Sequence, residues 1–253
     1  MIAIHVSAVC RVRDGYTGST LASGGLRCCL DGAPCQPVRK PGGCLVLTNL
    51  PPGRHLLSLQ SRGYQEEWVE LTVDAGTQEV EVTMKPGEDY PFQLAVTRLE
   101  LEILEKGRPA AGRQFWLAAP SGPEMKIAQT RAEAGSTQTR LFCKGALPPA
   151  VPGTYLIADG ADSEVVVLRS LAEETGTLAA PLLRSHSRGR ILIPAQSYHT
   201  NSAGRLSAAF REPCVIELCS REGVPLGRLE LQLGENRQRL SVGEEKKYGE
   251  SSG

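Results

Sequence analysis

The chain of 253 residues lacks a net charge, because its 28 basic residues are balanced by 28 acidic ones. No excess of positive charge is present to attract nucleic acid or an anionic membrane surface, so we expect no nucleic-acid partner. The sequence also lacks any apolar run of about 18 residues, the length that a membrane-spanning helix requires. No membrane span is therefore predicted.

The N-terminal segment, MIAIHVSAVCRVRD, lacks the basic start of a secretory signal, and His5 and Ser7 interrupt its apolar residues. This pattern predicts a β-strand. We expect synthesis in the cytoplasm without a signal peptide, and the alternative of release as part of a larger particle stays open.

Patterns that build an active centre are lacking as well. There is no Gly-x-Ser-x-Gly nucleophile elbow, and no carboxylate stands at an informative spacing from the four histidines, His5, His55, His186 and His199. Residues 158–164, ADGADSE, lack the alternating oxygen ligands of a calcium loop and predict a solvated turn. We therefore expect a protein that is not an enzyme, with no catalytic residue and no cofactor.

The eight cysteines include no Cys-x-x-Cys pair. In a chain without an export signal, most are expected to be free thiols. Cys28, Cys35 and Cys44 could converge on a metal ion, but the adjacent Cys28 and Cys29 would point to opposite faces of a strand. Because no histidine completes a tetrahedral set, no metal site is predicted.

What the sequence does contain is alternation of apolar and polar residues. The runs 69–73 and 80–84 alternate on either side of Asp74-Ala-Gly-Thr and predict a β-hairpin with one solvent-exposed face. The best helical candidate, residues 170–183, is interrupted by Gly176 and Pro181. The prediction is an all-β fold with little helix. Strand-length runs recur at the spacing of antiparallel β-sandwiches, at 94–105, 113–119, 139–143, 153–159, 163–171, 204–210, 213–219 and 227–233.

Turn formers and charges mark the domain boundaries. The clearest linker is KPGEDYP, residues 85–91, and a less regular break lies in 174–189. We predict one β-sandwich over residues 1–87 and a second over 88–175. A third β-rich unit over 176–243 is predicted, and whether it is continuous with the second stays open. A mobile tail is predicted over 244–253.

The first 86 residues also carry turn motifs in a characteristic order. An opening turn at 14–21 is followed by Asp31-Gly32, by the corner Asn49-Leu-Pro-Pro-Gly53 and by Gly63-Tyr64. In this order, residues 11–86 resemble the carboxypeptidase regulatory-like domain, a transthyretin-like β-sandwich. The resemblance implies a domain without an active site of its own. His55 departs from the pattern, because the family usually has an aromatic residue there, and we expect it to pack at the edge of the core.

Weaker copies of the same pattern follow. Residues 105–117 and 221–231 place a Gly-x-Pro turn before a strand, and residues 148–157 repeat a Pro-Pro turn followed by alternating residues. Tandem β-sandwiches of transthyretin-like or immunoglobulin-like type are the simplest explanation.

Two functional classes stay open. In the first, the chain is a structural or adaptor subunit that contacts other proteins, for example in a phage-tail-like or contractile-injection particle. In the second, it binds carbohydrate or another cell-surface polymer, although aromatic residues make up only 5% of the chain and are better explained by core packing. The predicted contact surface lies at one end of the first sandwich and comprises Tyr16, Arg62, Tyr64 and Trp68.

Overall fold

The computed structural model describes residues 5–22, 25–74, 76–121, 123–145 and 151–243. Within these ranges helical geometry is limited to short 3-10 turns, such as Gly160–Asp162, and no helix could cross a membrane. The predicted all-β fold is confirmed. The strands are β1 (Val6–Asp14), β2 (Arg27–Leu30), β3 (Ala33–Cys35), β4 (Val38–Lys40), β5 (Cys44–Thr48), β6 (Gly53–Gln60), β7 (Glu67–Val73), β8 (Gln78–Met84), β9 (Thr97–Glu105), β10 (Arg108–Pro109), β11 (Gln114–Ala118), β12 (Glu124–Ile127), β13 (Arg131–Ala132), β14 (Gln138–Lys144), β15 (Gly153–Ala158), β16 (Glu164–Ala172), β17 (Thr175–Leu178), β18 (His186–Ser187), β19 (Ile191–His199), β20 (Arg205–Phe210), β21 (Cys214–Ser220), β22 (Pro225–Leu231) and β23 (Gly234–Val242).

The chain forms two compact units. The first comprises residues 1–96 together with 207–211, and the second comprises 97–206 together with 212–253. The first unit thus extends beyond the predicted end at residue 87, because Tyr90 is buried in it and hydrogen-bonds to Asp14. The predicted tail, residues 244–253, lies outside the described residues.

The first unit is a β-sandwich of two four-stranded sheets. One sheet has the order β4-β5-β1-β8 and the other β3-β2-β6-β7. Alternate residues of each strand face the partner sheet, so that both inner faces are removed from water. Burying these side chains stabilises the unit by about 25 cal/mol per Å² of apolar surface. The core comprises Ala8, Cys10, Val12, Leu26, Cys28, Leu45, Leu47, Leu57, Leu59, Leu71, Val82 and Met84.

The predicted hairpin of residues 69–73 and 80–84 is wrong. β7 pairs with β6, whereas β8 pairs with β1 in parallel, so the connection between them crosses from one sheet to the other. The alternation had correctly indicated which side chains face the core, since Leu71 and Val82 both lie in it. Period-two patterns say which face is buried but not which strand is the neighbour.

The corner at Asn49–Gly53 is held by polar contacts. Asn49 and Gly53 both adopt positive φ, at 54° and 137°. His55 donates from Nε2 to the carbonyl oxygen of Pro51 over 2.9 Å, and its Nδ1 lies 2.7 Å from the Asp31 carboxylate. The hydrogen bonds to Asp31 and Pro51 raise the pKa of His55 above 6.5. His55 therefore ties the corner to the β2–β3 turn through hydrogen bonds.

The second unit contains a closed barrel. β12, β14, β17, β16, β15 and β19 are paired in that order, all antiparallel, and β12 pairs back with β19. β11, β21 and β22 extend the sheet beyond β19, and β9 pairs in parallel with β23. The predicted all-β, sandwich-type fold is confirmed, and within it the pairing of β12 with β19 joins six antiparallel strands in one ring, which removes two sheet edges. Its interior includes Met125, Ile127, Leu141, Tyr155, Ile157, Val166, Leu168, Leu178 and Leu192.

The break predicted near residue 176 does not separate two sheets. Residue 176 lies inside β17, which pairs with β14 and β16 of the barrel. β19, from the segment predicted as a third unit, pairs with β15 and β11 from the segment predicted as the second. The strands of 88–175 and 176–243 therefore alternate within one sheet.

Candidate functional site

The four residues predicted as a contact surface fall into different features of the first unit. Tyr16 and Tyr64 join an aromatic cluster with Tyr90 and Phe92, in which the Tyr16 and Phe92 ring centroids lie 5.0 Å apart. Trp68 lies on the outer face of β7. Arg62 is exposed between β6 and β7. The structure thus brings Tyr16 and Tyr64 together, while Trp68 belongs to a separate surface.

The aromatic cluster is built around the buried carboxylate of Asp14. This carboxylate accepts hydrogen bonds from the hydroxyls of Tyr64 and Tyr90, at 2.9 and 2.5 Å, and from the backbone amides of Tyr16 and Thr17. Burial alone would raise the pKa of Asp14, but these four donors lower it below 3.8. Burial and the bond to Asp14 raise the pKa of Tyr64 to about 12. Because its lone pairs are occupied, Asp14 is an anchor for the surrounding loops.

Trp68 lies at one end of a row of side chains that crosses the whole outer face of its sheet. The strand register pairs Pro34 with Cys29, Cys29 with Ser58, and Ser58 with Trp68. On the next outward position of β6, Leu56 is 45% exposed, and Trp68 is 44% exposed. We call the surface formed by Cys29, Pro34, Leu56, Ser58 and Trp68 the Trp68 face. Most of its side chains are small, and the indole of Trp68 is the largest group on it.

In the second unit, a buried histidine lies between two carboxylates. His186 has no exposed surface; its Nε2 lies 2.7 Å from Glu164 Oε1, and its Nδ1 lies 3.0 Å from Asp159 Oδ2. Asp159 also pairs with Arg190 at 2.7 Å, and Glu164 accepts from the backbone amides of Leu183 and Arg184. The solvated turn predicted for residues 158–164 is therefore wrong for Asp159 and Glu164.

The protonation state of this cluster follows from its hydrogen bonds. Burial alone would lower the pKa of His186, but the bonds to Glu164 and Asp159 raise it above 6.5. Burial alone would raise the pKa of Glu164, but the donors around it lower it below 4.5. Both ring nitrogens then donate, which leaves no lone pair to accept a proton. The arrangement is suited to holding chain segments together and not to general base catalysis.

A cleft of about 600 Å³ lies against the outer surface of the barrel. We call it the Arg188 cleft. Binding sites for small molecules commonly have volumes of roughly 300 to 1,000 Å³. The walls come from β12 and the segment that follows it, from β14, and from the segments that precede β17 and β19. They comprise Lys126, Ile127, Ala128, Gln129, Thr130, Arg140, Phe142, Glu174, Arg188 and Gly189.

The charged groups of the Arg188 cleft are unequally paired. Arg140 pairs with Glu174 at 2.6 Å, and Lys126 pairs with Glu124. Among the described residues, the guanidinium of Arg188 takes part in no hydrogen bond or ion pair. Phe142 is 52% exposed. The lining of the cleft therefore includes one uncompensated cation and one open aromatic ring.

The cysteines are distributed between core and surface. Cys10 and Cys28 lie in the sandwich core, Cys28 is paired with Cys35 across β2 and β3, and Cys44 lies in the other sheet. Burial, followed by the neighbouring Cys28, raises the pKa of Cys10 to about 11. Within the described ranges no group of histidine, cysteine and acidic residues is arranged to hold a metal ion.

Sequence reasoning missed the His186 cluster and the Arg188 cleft. The groups that meet at His186 come from two separate segments, one that holds Asp159 and Glu164 and one that holds His186. Nothing in the sequence around Asp159 and Glu164 indicates that both carboxylates bind a histidine, because His186 lies more than 20 residues further along the chain. The run 139–143 predicts that Phe142 lies in a strand, but alternation alone does not show that its outward side chain borders a cleft.

Comparisons with known proteins give little further guidance. No family model matches the chain, and no curated protein is significantly similar. Among solved structures, a streptococcal ancillary pilin has a TM-score of 0.27 at 11% identity, over 94% of this chain and 61% of that one. BcpA, the major pilin subunit of Bacillus cereus, has a TM-score of 0.28 at 8% identity, over 94% of this chain and 99% of that one. The Bacillus anthracis TIE protein has a TM-score of 0.25 at 11% identity, over 93% of this chain and 49% of that one. These values are too low to support a functional argument.

Proposed function

We propose that this chain is a non-enzymatic structural protein that acts through contacts with other proteins, with the Trp68 face as its principal contact surface. The observation that carries the proposal is the partial exposure of Trp68 and Leu56, at 44% and 45%, on the outer face of one rigid sheet. Tryptophan is enriched among the residues that dominate protein interfaces.

The surroundings of Trp68 have the composition of an interface. Small or uncharged side chains, Cys29, Pro34 and Ser58, continue the row from Trp68 across the face. Charged and polar residues flank this row on both sides, as they do at the rims of protein interfaces. By the alternation of β2, β6 and β7, these surrounding residues are Arg27, Arg54, Gln60, Glu70 and Thr72.

The rigidity of the sheet also favours binding. Trp68 and Ser58 are directly paired in the β6–β7 ladder, and Cys29 and Ser58 in the β2–β6 ladder. A partner would therefore meet a preorganised surface, and little loop entropy would be lost on association. Truncating a tryptophan that is buried in an interface commonly costs about 2 kcal/mol or more of binding free energy.

The non-enzymatic part of the proposal is supported by the hydrogen bonds that saturate the two buried titratable clusters, at Asp14 and at His186. Asp14 accepts four hydrogen bonds, and His186 uses both ring nitrogens. Neither cluster offers a free base beside a nucleophile. The resemblance of residues 11–86 to the carboxypeptidase regulatory-like domain, whose members have no active site of their own, stays a prediction that agrees with this proposal.

We propose a phage-tail-like or contractile-injection particle as the assembly that contains this subunit. The test is sedimentation of the chain from lysates of its source cells, with Trp68→Ala and with the control Leu94→Ala, which truncates an 80% exposed leucine of the same unit. We expect the parent and the control in a heavy fraction and Trp68→Ala shifted to the monomer position. A monomeric parent, or a Trp68→Ala variant that stays in the heavy fraction, would refute the proposal.

A photo-crosslinking residue locates the contact. Placed at Ser58, in the centre of the Trp68 face, it should give one discrete adduct with a subunit of the heavy fraction. The matched control replaces Glu81, whose side chain projects from the outer face of the other sheet and pairs with Arg13. Equal crosslinking from both positions would contradict the assignment of the surface.

A further inference from the structure

The Arg188 cleft combines features that the proposed protein-contact role does not use. It lies in the second unit, whereas the Trp68 face lies in the first. Three cations, Lys126, Arg140 and Arg188, line it against a single acidic residue, Glu174. A surface with this excess of positive charge favours an anionic ligand.

Pairing within the cleft limits how much negative charge it accepts. Arg140 is neutralised by Glu174, and Lys126 by Glu124, which lies outside the cleft. Arg188 is then the one cation of the lining without a partner among the described residues. A single free guanidinium suits a ligand with isolated carboxylates, which it can bind through two parallel hydrogen bonds. A densely charged phosphate chain would need several free cations.

The shape of the surface favours an extended ligand with an apolar face. The register places Phe142, Lys126 and Ile191 side by side across β14, β12 and β19, on the outer face of the barrel. Phe142 is 52% exposed and Ile191 is 41% exposed. The row is fixed by strand pairing on three neighbouring strands, so its spacing does not depend on a loop.

We propose that the Arg188 cleft binds an acidic polysaccharide whose sugar units carry a carboxylate. Arg188 binds the carboxylate, and the apolar face of the sugar ring packs on Phe142. The Arg140–Glu174 pair offers donors and remaining acceptor positions to the hydroxyls of the sugar. One carboxylate and one ring face per unit match the one free cation and the one exposed aromatic ring of the cleft.

The experiment is calorimetric titration of the full chain with tetragalacturonate, with neutral maltotetraose and with tetraglutamate. We expect tetragalacturonate to bind and the other two to bind at least tenfold more weakly, because one lacks the carboxylate and the other lacks the ring. Equal binding of maltotetraose would refute the role of Arg188, and equal binding of tetraglutamate would refute the role of the ring. Absence of tetragalacturonate binding would refute the proposal altogether.

Variants identify the site. Arg188→Gln should weaken tetragalacturonate binding about tenfold to a hundredfold, since a hydrogen bond to a charged group is lost. Phe142→Ser should weaken it about fivefold to tenfold. Arg62→Gln, which removes an exposed arginine of the first unit, is the matched control and should leave binding unchanged. Unchanged binding by Arg188→Gln would overturn the assignment.

Two further measurements make the outcomes separable. Both replaced side chains are exposed, so the melting temperatures of Arg188→Gln and Phe142→Ser should match that of the parent. If the melting temperature falls together with binding, the lost binding comes from misfolding, and the site assignment is overturned. Trp68→Ala should retain tetragalacturonate binding, because the cleft lies in the other unit. The acidic-sugar site and the protein contact can therefore fail independently.

Discussion

Replacing His186 by glutamine should destabilise the second unit by about 3 kcal/mol. His186 is fully buried and Glu164 is 3% exposed, and removing one partner of a buried ion pair costs roughly 3 to 5 kcal/mol. The lower value is expected, because Asp159 keeps its ion pair with Arg190 and Glu164 keeps two backbone amide donors. The side-chain amide of glutamine can also donate one of the two hydrogen bonds that the imidazole makes to Glu164 and Asp159.

The same cluster should make stability depend on pH in two directions. The pKa of His186 in the folded state lies above its ordinary 6.5, so its contribution is complete below 6.5 and is lost as the pH rises through the folded pKa. The pKa of Glu164 lies below its ordinary 4.5, so its contribution is complete above 4.5 and is lost as the pH falls through the folded pKa. The cluster is therefore most stabilising between pH 4.5 and pH 6.5.

The measurement is urea unfolding followed by tryptophan fluorescence in a Trp68→Phe background, where Trp116 on β11 reports the second unit alone. Above pH 6.5, the parent should lose up to about 1.4 kcal/mol per pH unit until the folded pKa is passed, and His186→Gln should not show this slope. His55→Gln, which affects the first unit, is the control. A destabilisation below about 1 kcal/mol, less than any broken buried pair should cost, or an identical slope in parent and variant, would refute the reasoning.

Two predictions concern the first unit, followed through Trp68 in a Trp116→Phe background. Gly53→Val should lower its stability by about 1 to 3 kcal/mol, because φ is +137° there, although no heavy atom lies within 4 Å of the added Cβ. Gly25→Val, at a position whose φ lies outside the range from +20° to +160°, is the control. Equal melting of both variants would contradict the account of the corner. Asp14→Asn should cost about 1.5 to 3 kcal/mol at neutral pH. It should also reduce the loss of stability that the parent shows as the pH falls below 3.8, a loss to which Asp31 contributes as well because its pKa is lowered too. Urea titrations that give the same dependence on pH for parent and variant below pH 3.8 would contradict this role of Asp14.

The alternation of apolar and polar residues was sufficient to predict strands and their buried faces. Leu71 and Val82 both lie in the core that their positions indicated. The turn chemistry was also readable, since Asp31 and Gly32 both adopt the positive φ that a tight turn between β2 and β3 requires. Both features depend on residues close in sequence.

The pairing of strands depended on information that no local pattern contains. β8 pairs in parallel with β1, and β12 closes the barrel against β19. A hairpin, a sandwich crossover and a barrel strand all show the same period of two, because each has one face buried. Long-range packing alone selects among them.

By itself, the sequence determined that this protein is built from β-strands and which apolar side chains of those strands face the core, because these properties follow from the backbone preferences and polarity of neighbouring residues. Only the tertiary structure decided the exposure of Trp68, the burial of His186 between Asp159 and Glu164, and the opening of a cleft beside Arg188. Each of these depends on segments that are distant in sequence and pack together in the fold. The free energy that stabilises this packing comes from contacts throughout the core, so no single stretch of the chain encodes it.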